Sequence, residues 1–189
     1  QVDILTGKDA DCIHKIIKGN YDIVIPMNGR MQSLKASLGR VAGRYKLLIT
    51  GQSGIGKDDI WNIVIAKPDI FVALTDRSYK WAKSWAWGTT IVKIPNGVDL
   101  NKFQPIGSKI NPDLPKPIIL SVGALEWYKF HEKLIKAVSK LKTGSVLIVG
   151  EGSLKSRLEQ LGRKLLNGRF QISQYNYAEM PKVYRVCDL

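Results

Sequence analysis

Residues 94–103 read Ile94-Pro95-Asn96-Gly97-Val98-Asp99-Leu100-Asn101-Lys102-Phe103, and residues 118–123 read Ile118-Ile119-Leu120-Ser121-Val122-Gly123. The first stretch ends a strand in a Pro-Asn-Gly turn. A short link containing Pro105, Pro112, Pro115 and Pro117 follows. The second stretch is an apolar strand running into a glycine, with Lys129 six residues further on. Together they describe one α/β domain handing over to another that carries an anion site at the mouth of its first strand.

Working outward, both halves alternate strands and helices. Before the turn, residues 22–26, 45–50, 70–75 and 90–94 are apolar runs, and 31–43 and 77–87 have helical character. Met31, Leu34, Leu38 and Val41 mark the spacing of the first of these helices. After the turn, Phe130, Leu134, Ile135, Val138 and Leu141 mark one helix face, and 145–149 is a strand. Ser153 is the expected N-cap of a helix striped by Leu154, Leu158, Leu161 and Leu165, which stops at Asn167-Gly168. A strand at 170–173 and a short helix at 178–185 follow. Continuous rather than alternating apolar runs are typical of strands buried on both faces. The βαβα order predicts parallel sheets covered by helices. The fold class is therefore α/β, with two Rossmann-like parallel-sheet domains facing a cleft, residues 1–104 and 105–189. Both domains read as incomplete, and an internal fragment of a larger enzyme is expected.

The two segments resemble the middle of the GT-B glycosyltransferases, in particular the retaining GT4 ("group 1") family. That family reads roughly P-N-G-V-D-x-x-x-F at the turn and V-G-R-L-x-x-x-K-G at the next strand. The resemblance implies a transferase that moves a sugar from a nucleotide-diphosphate donor to an acceptor with retention, without a bound metal or other cofactor. By resemblance, Gly123 and Lys129 meet the donor diphosphate, Glu151 and Gly152 belong to the G-x-G stretch beside the nucleotide, and Tyr175 borders the base. Ala124 stands where the family has arginine, so half of the diphosphate clamp is absent. Phe130 replaces the glycine usual after the lysine, and Ser173 replaces that of the F-x-G region. The family's E-x7-E carboxylates fall beyond Leu189. Its catalytic histidine aligns with Gly51 and Gln52, so no catalytic residue is assigned.

On the first half, Gly51-Gln52-Ser53-Gly54-Ile55-Gly56-Lys57-Asp58 fits G-x-x-x-x-G-K but carries aspartate where a P-loop needs a Mg²⁺-binding hydroxyl. The residues after it make a weak helix start. A P-loop-like nucleotide hydrolase is thus disfavoured. The loops holding Asn28 and Gly29, and Gly51, Gln52 and Ser53, are expected to shape the acceptor side. Trp81, Trp85 and Trp87 have helical spacing that suits core or interdomain packing. A non-catalytic sugar- or anion-binding relative is the alternative from another class.

The net charge is +13, shared as +6 over residues 1–104 and +7 over 105–189. Spread in this way, it suggests affinity for anions rather than a dedicated nucleic-acid surface. A lipid-linked or anionic acceptor and peripheral contact with the inner face of a membrane are consistent with it. No apolar run reaches the ~20 residues of a membrane span, and no signal peptide is read at Gln1–Leu5. Cys12 and Cys187 are distant in sequence, as expected of cytoplasmic thiols. With His14 and His131 they form no metal-ligand spacing.

Overall fold

A computed structural model of the chain describes residues 2–5, 13–27, 29–52 and 55–189. Asn28, Ser53 and Cys12 lie outside the described residues. The chain forms two compact units, residues 1–97 and 98–189. The handover expected at 104/105 falls slightly downstream of this division, and the local chemistry shows why. Asp99 accepts from the amides of Asn101 and Lys102 (3.0 and 3.4 Å) through its carboxylate, and its carbonyl accepts from Phe103 N–H. This turn presents the Phe103 ring to Tyr177 and Tyr184, both edge-on at 5.9 Å. Arg185 donates to the carbonyls of Gln104, Ser108 and Lys102. The link is therefore bonded to the second unit.

The first unit has a four-stranded parallel sheet, in the order β1 (Ile23–Val24), β2 (Lys46–Thr50), β3 (Ile70–Ala73) and β4 (Thr90–Lys93). Helices α1 (Ile13–Lys18), α2 (Arg30–Gly43), α3 (Lys57–Val64) and α4 (Asp76–Trp85) accompany it. Leu47, Ile49, Ile63, Phe71 and Ala82 form its core. Thr75 caps α4 through a reciprocal bond with Ser78.

Two expectations are corrected here. The apolar spacing of α2 faces outward: Val41 is 87% exposed, and Met31 and Leu38 are also exposed. The buried face is Ser33, Ala36 and Gly39. Small residues let the helix approach closely, and a Cβ on Gly39 would lie 2.7 Å from the Tyr45 hydroxyl. Polar bonds seat it: Tyr45 Oη donates to Ala36 O and Ser37 Oγ to Ala66 O. Second, Trp87 is 89% exposed, so it is not a core residue, whereas Trp81 packs against the core and meets Trp85 at 6.4 Å.

The second unit has a three-stranded parallel sheet, β5 (Ile118–Val122), β6 (Ser145–Val149) and β7 (Phe170–Ser173), with β6 central. Every residue of β6 is buried. Strand alternation sends Val146 and Ile148 to one face, against Ile135, Val138, Leu158 and Leu166 of α5 (His131–Val138) and α6 (Lys155–Leu166). Leu147 and Val149 point to the other face, against Val183 and Val186 at α7 (Met180–Tyr184). Helices thus cover both faces. Phe130 and Leu141, expected on the α5 face, lie outside the helix and are exposed.

Each unit holds a strand start by a carboxylate. Asp69 accepts from Leu47 N–H at 2.8 Å and from Arg40 and Lys46. These bonds outweigh the opposing effect of its burial and keep its pKa below the ordinary value. Asp188 accepts from Ile118 N–H at 2.9 Å, which lowers its pKa, with Lys116 adding to the effect. Beyond it, Leu189 O accepts from Leu120 N–H at 2.8 Å, so the chain begins to pair along the free edge of β5.

Asp59, in the first turn of α3, is 2% exposed. Burial, reinforced by the neighbouring Asp58 charge, raises its pKa to about 6. The folded state therefore holds this proton more tightly than the unfolded chain does, whose reference is 3.8. The contribution to stability is full below that reference and is lost as pH rises through about 6. Asp59→Asn is expected to flatten this dependence. It should stabilise the first unit at pH 8 by about 1–3 kcal/mol, with little change at or below pH 3.8 and a growing effect between 3.8 and about 6. Urea denaturation across that range measures it.

Candidate functional site

The site is built where β5 and β6 end. A parallel ladder would stop at Val122 and Val149, but here the two loops continue it. Gly123 N–H donates to Val149 O (3.0 Å), Leu125 N–H to Glu151 O (2.8 Å) and Leu154 N–H to Leu125 O (3.0 Å). On the other side, Gly150 N–H donates to Ser173 O. The backbones are so close that a Cβ on Gly150 would fall 2.0 Å from Gly123 O, and one on Gly152 2.8 Å from Leu125 N and O. Gly150 and Gly152 thus serve the packing of one loop on the next.

Lys129 ends a 3-10 turn, Trp127–Lys129. Its side-chain carbons lie 3.6 Å from where a Cβ of Gly123 would be, so the stem crosses that glycine. Its ammonium stands 5.8 Å from the Tyr128 ring centre and forms no ion pair with a described carboxylate. The structure therefore brings Gly123 and Lys129 together, with Glu151 and Gly152 on the adjoining loop. Glu151 is exposed. Tyr175 follows β7 and is half-buried against the Leu147–Val183 cluster, which excludes a freely exposed tyrosine.

Three features were not read from the sequence. Glu126 reaches 27 positions along the chain, accepting from Ser153 N–H at 3.0 Å and Ser153 Oγ at 2.9 Å. These bonds, the backbone one first, hold its pKa below the usual range. Ser153 is consequently not the N-cap of α6. That position is Leu154, and no side chain caps the helix. The Ser153 amide is already satisfied by a carboxylate rather than free for an anionic ligand.

His131 is buried, with Nδ1 3.0 Å from Ser121 Oγ and Nε2 3.1 Å from Ala124 O. A carbonyl only accepts, so Nε2 carries the proton and donates. The imidazole thereby fastens the loop to the interior of β5. Phe130 adopts φ 56°, in the left-handed region. The conformation that the glycine of the resembling family would adopt freely is held here by an aromatic residue.

In the first unit, Gly29 precedes α2 with φ 91°, and Gly51 follows β2. A Cβ on Gly51 would meet Phe71 at 2.6 Å and Asp59 Oδ2 at 3.2 Å. Gln52 N–H turns back to Thr50 O. Arg30 binds Asp58 at 2.5 Å and so ties the Gly29 loop to the start of α3. Contrary to the expected weak start, α3 forms directly at Lys57. Arg30 and Asp58 satisfy one another there, and Thr50 Oγ1, Trp61 Nε1 and Asn62 Oδ1 are buried without partners. Among the described residues no cluster of three or more His, Cys, Asp or Glu side chains is placed to hold a metal ion.

Residues 103–189 match the family model for glycosyl transferases group 1. No curated protein matches the chain by sequence. Solved structures share its fold. Anabaena HepE in complex with UDP-glucose is 16% identical with a TM-score of 0.73, the match covering 93% of this chain and 54% of that one. The pneumococcal O-GlcNAc transferase GtfA, in complex with UDP and GlcNAc, is 15% identical with a TM-score of 0.66, over 94% of this chain and 38% of that one. The lipopolysaccharide outer core galactosyltransferase WaaB is 15% identical with a TM-score of 0.60, over 90% and 50%. The chain spans about half the length of HepE.

Gly150→Ala is expected to separate the two loops, because the obstructing atom is backbone. It should destabilise the second unit by about 2–4 kcal/mol, measured by urea denaturation. Gly56→Ala, where a Cβ meets nothing within 4 Å, serves as its control. The second unit thus matches the group 1 glycosyl transferases in sequence, and the two Rossmann-like units have the fold of GT-B glycosyltransferases.

Proposed function

We propose that this chain serves a retaining glycosyltransferase of the GT4 kind, with the second unit holding a nucleotide-diphosphate sugar. The observation that carries this reading is the placement of Lys129 across Gly123, unpaired with any described carboxylate, inside the segment that matches the family model. A lysine there meets a diphosphate as a point charge, and departure of the nucleotide diphosphate creates the charge it would stabilise. The β5 loop is fastened by His131 and by the Gly123–Gly150 contact, so this cation is held before the ligand arrives. Ala124 offers no second cation, and Glu126 already occupies the Ser153 amide. Most of the electrostatic work therefore falls to Lys129. Gly123, Glu151, Gly152 and Tyr175 line the donor side in this reading. The loops at Asn28–Gly29 and Gly51–Ser53 shape the acceptor side, and no metal or other cofactor is required.

The acceptor is anionic or lipid-linked in this reading, with the protein working at the cytoplasmic face of a membrane. The spread positive charge supports that, and no described helix is long and apolar enough to cross a membrane. Sedimentation with anionic vesicles at low salt should recover the protein in the pellet. Its absence there would remove the membrane contact.

The central test is calorimetric titration with UDP and GDP, with and without Mg²⁺. Metal-independent binding of one of them is expected, weakened at least tenfold in Lys129→Ala, a loss of about 1.4 kcal/mol or more. Binding of neither, or equal binding by the variant, would overturn the donor reading. A non-catalytic binding relative would bind the nucleotide sugar without turnover.

A further inference from the structure

We propose that the pocket between the starts of α5 and α6 is a second site, which takes one neutral saccharide ring stacked on Trp127. The pocket has a volume of about 240 Å³ and is walled by Trp127, Phe130 and Leu154, with Glu126, Glu132 and Arg157 at its polar side. Neither Gly123 nor Lys129 lines it, so it is separate from the donor position. Its size is below the ~300–1,000 Å³ of sites for drug-sized ligands and suits a single ring.

The lining chemistry selects the class of ligand. Trp127 is 74% exposed and Phe130 53% exposed. Trp127 is buttressed edge-on by Tyr128 at 5.7 Å. An exposed indole beside a second aromatic ring gives an apolar platform for the C–H face of a sugar. The charges beside it are matched internally. Arg157 Nε lies 2.6 Å from Glu132 Oε1, and Nη2 lies 3.3 Å from Oε2. Glu126 is engaged by Ser153, and the Lys133 ammonium lies 4.3 Å from the centre of the Phe130 ring. A site neutralised in this way offers an ion little net attraction. The carboxylates nevertheless retain lone pairs, and the guanidinium retains N–H groups, that bind hydroxyls. An apolar face edged with unused donors and acceptors fits a saccharide better than it fits a phosphate or a lipid chain. His131, which also lines the cavity, is fixed by Ser121 and the Ala124 carbonyl, so the floor is formed in advance.

This lining argument stands without the donor reading. Under that reading, the site would hold a ring of the acceptor or product glycan.

The test is a titration of the full chain, followed by the tryptophan indole N–H signals in two-dimensional NMR. The probes are the methyl glycosides of glucose, galactose, mannose and N-acetylglucosamine, and separately UDP. One indole signal is expected to shift saturably with at least one glycoside, with a dissociation constant on the order of 1–10 mM. Trp127→Ala and Arg157→Ala alter exposed side chains and should each weaken that binding at least tenfold, with UDP affinity unchanged. Dispersed spectra of both variants verify the fold. No saturable shift with any glycoside, undiminished sugar binding in both variants, or competitive displacement of the glycoside by UDP would overturn the proposal. Glycoside binding by a chain that binds neither UDP nor GDP would leave this site standing and sink the donor reading alone.

Discussion

The second unit depends on one backbone contact, the passage of Gly150 beneath the Gly123 carbonyl. There is no room for a methyl group between them. That contact carries the β5–β6 ladder past its last paired residues, through Leu125 N–H to Glu151 O and Leu154 N–H to Leu125 O. It fixes where Leu125 enters the core, where the Trp127–Lys129 turn begins and where α6 starts. A wider separation would leave Glu126 out of reach of Ser153 and would open the pocket at Trp127.

Much of the second unit was legible because its determinants are local. The short run from Ser145 to Val149 after Gly144 read as a strand, and the structure buries all five residues in the central strand of the sheet. Val98-Asp99 with Phe103 encodes its own geometry: an aspartate that bonds the next amides, then a ring that docks on Tyr177 and Tyr184. What was hidden is non-local. Ser153 has the composition of an N-cap, yet a carboxylate distant in sequence claims both its amide and its hydroxyl. Helix α3 opens with two acids and no clear apolar stripe; Ile63 holds it in the core, and the buried Asp59 opposes it once ionised. In α2 the periodicity was real but the face was reversed. Ala36 and Gly39 are buried because their smallness permits close approach, a criterion that hydrophobicity alone does not contain. The candidate site divides in the same way: Gly123 and Lys129 were readable as a pair, whereas Glu126 and His131 acquire meaning only from their partners.

The two units solve the same problem with the same device. Asp69 secures the amide at Leu47 and Asp188 the amide at Ile118, each helped by a lysine near the strand start. Near a strand start such an amide can lie short of the paired register, and a carboxylate satisfies it while remaining ionised. This places negative charge at strand starts in each unit, and within the second unit away from the strand ends where Lys129 lies, in a chain whose overall charge is strongly positive.

The imidazole of His131 has a further consequence. With both ring nitrogens engaged, by Ser121 within β5 and by the Ala124 carbonyl beyond it, strand and loop behave as one piece. The ordering entropy of that loop is spent during folding, so an incoming molecule meets a finished shape and owes little for arranging it. On the proposed reading, selectivity at this end of the sheet would therefore be set by the folded shape of this loop rather than by its rearrangement.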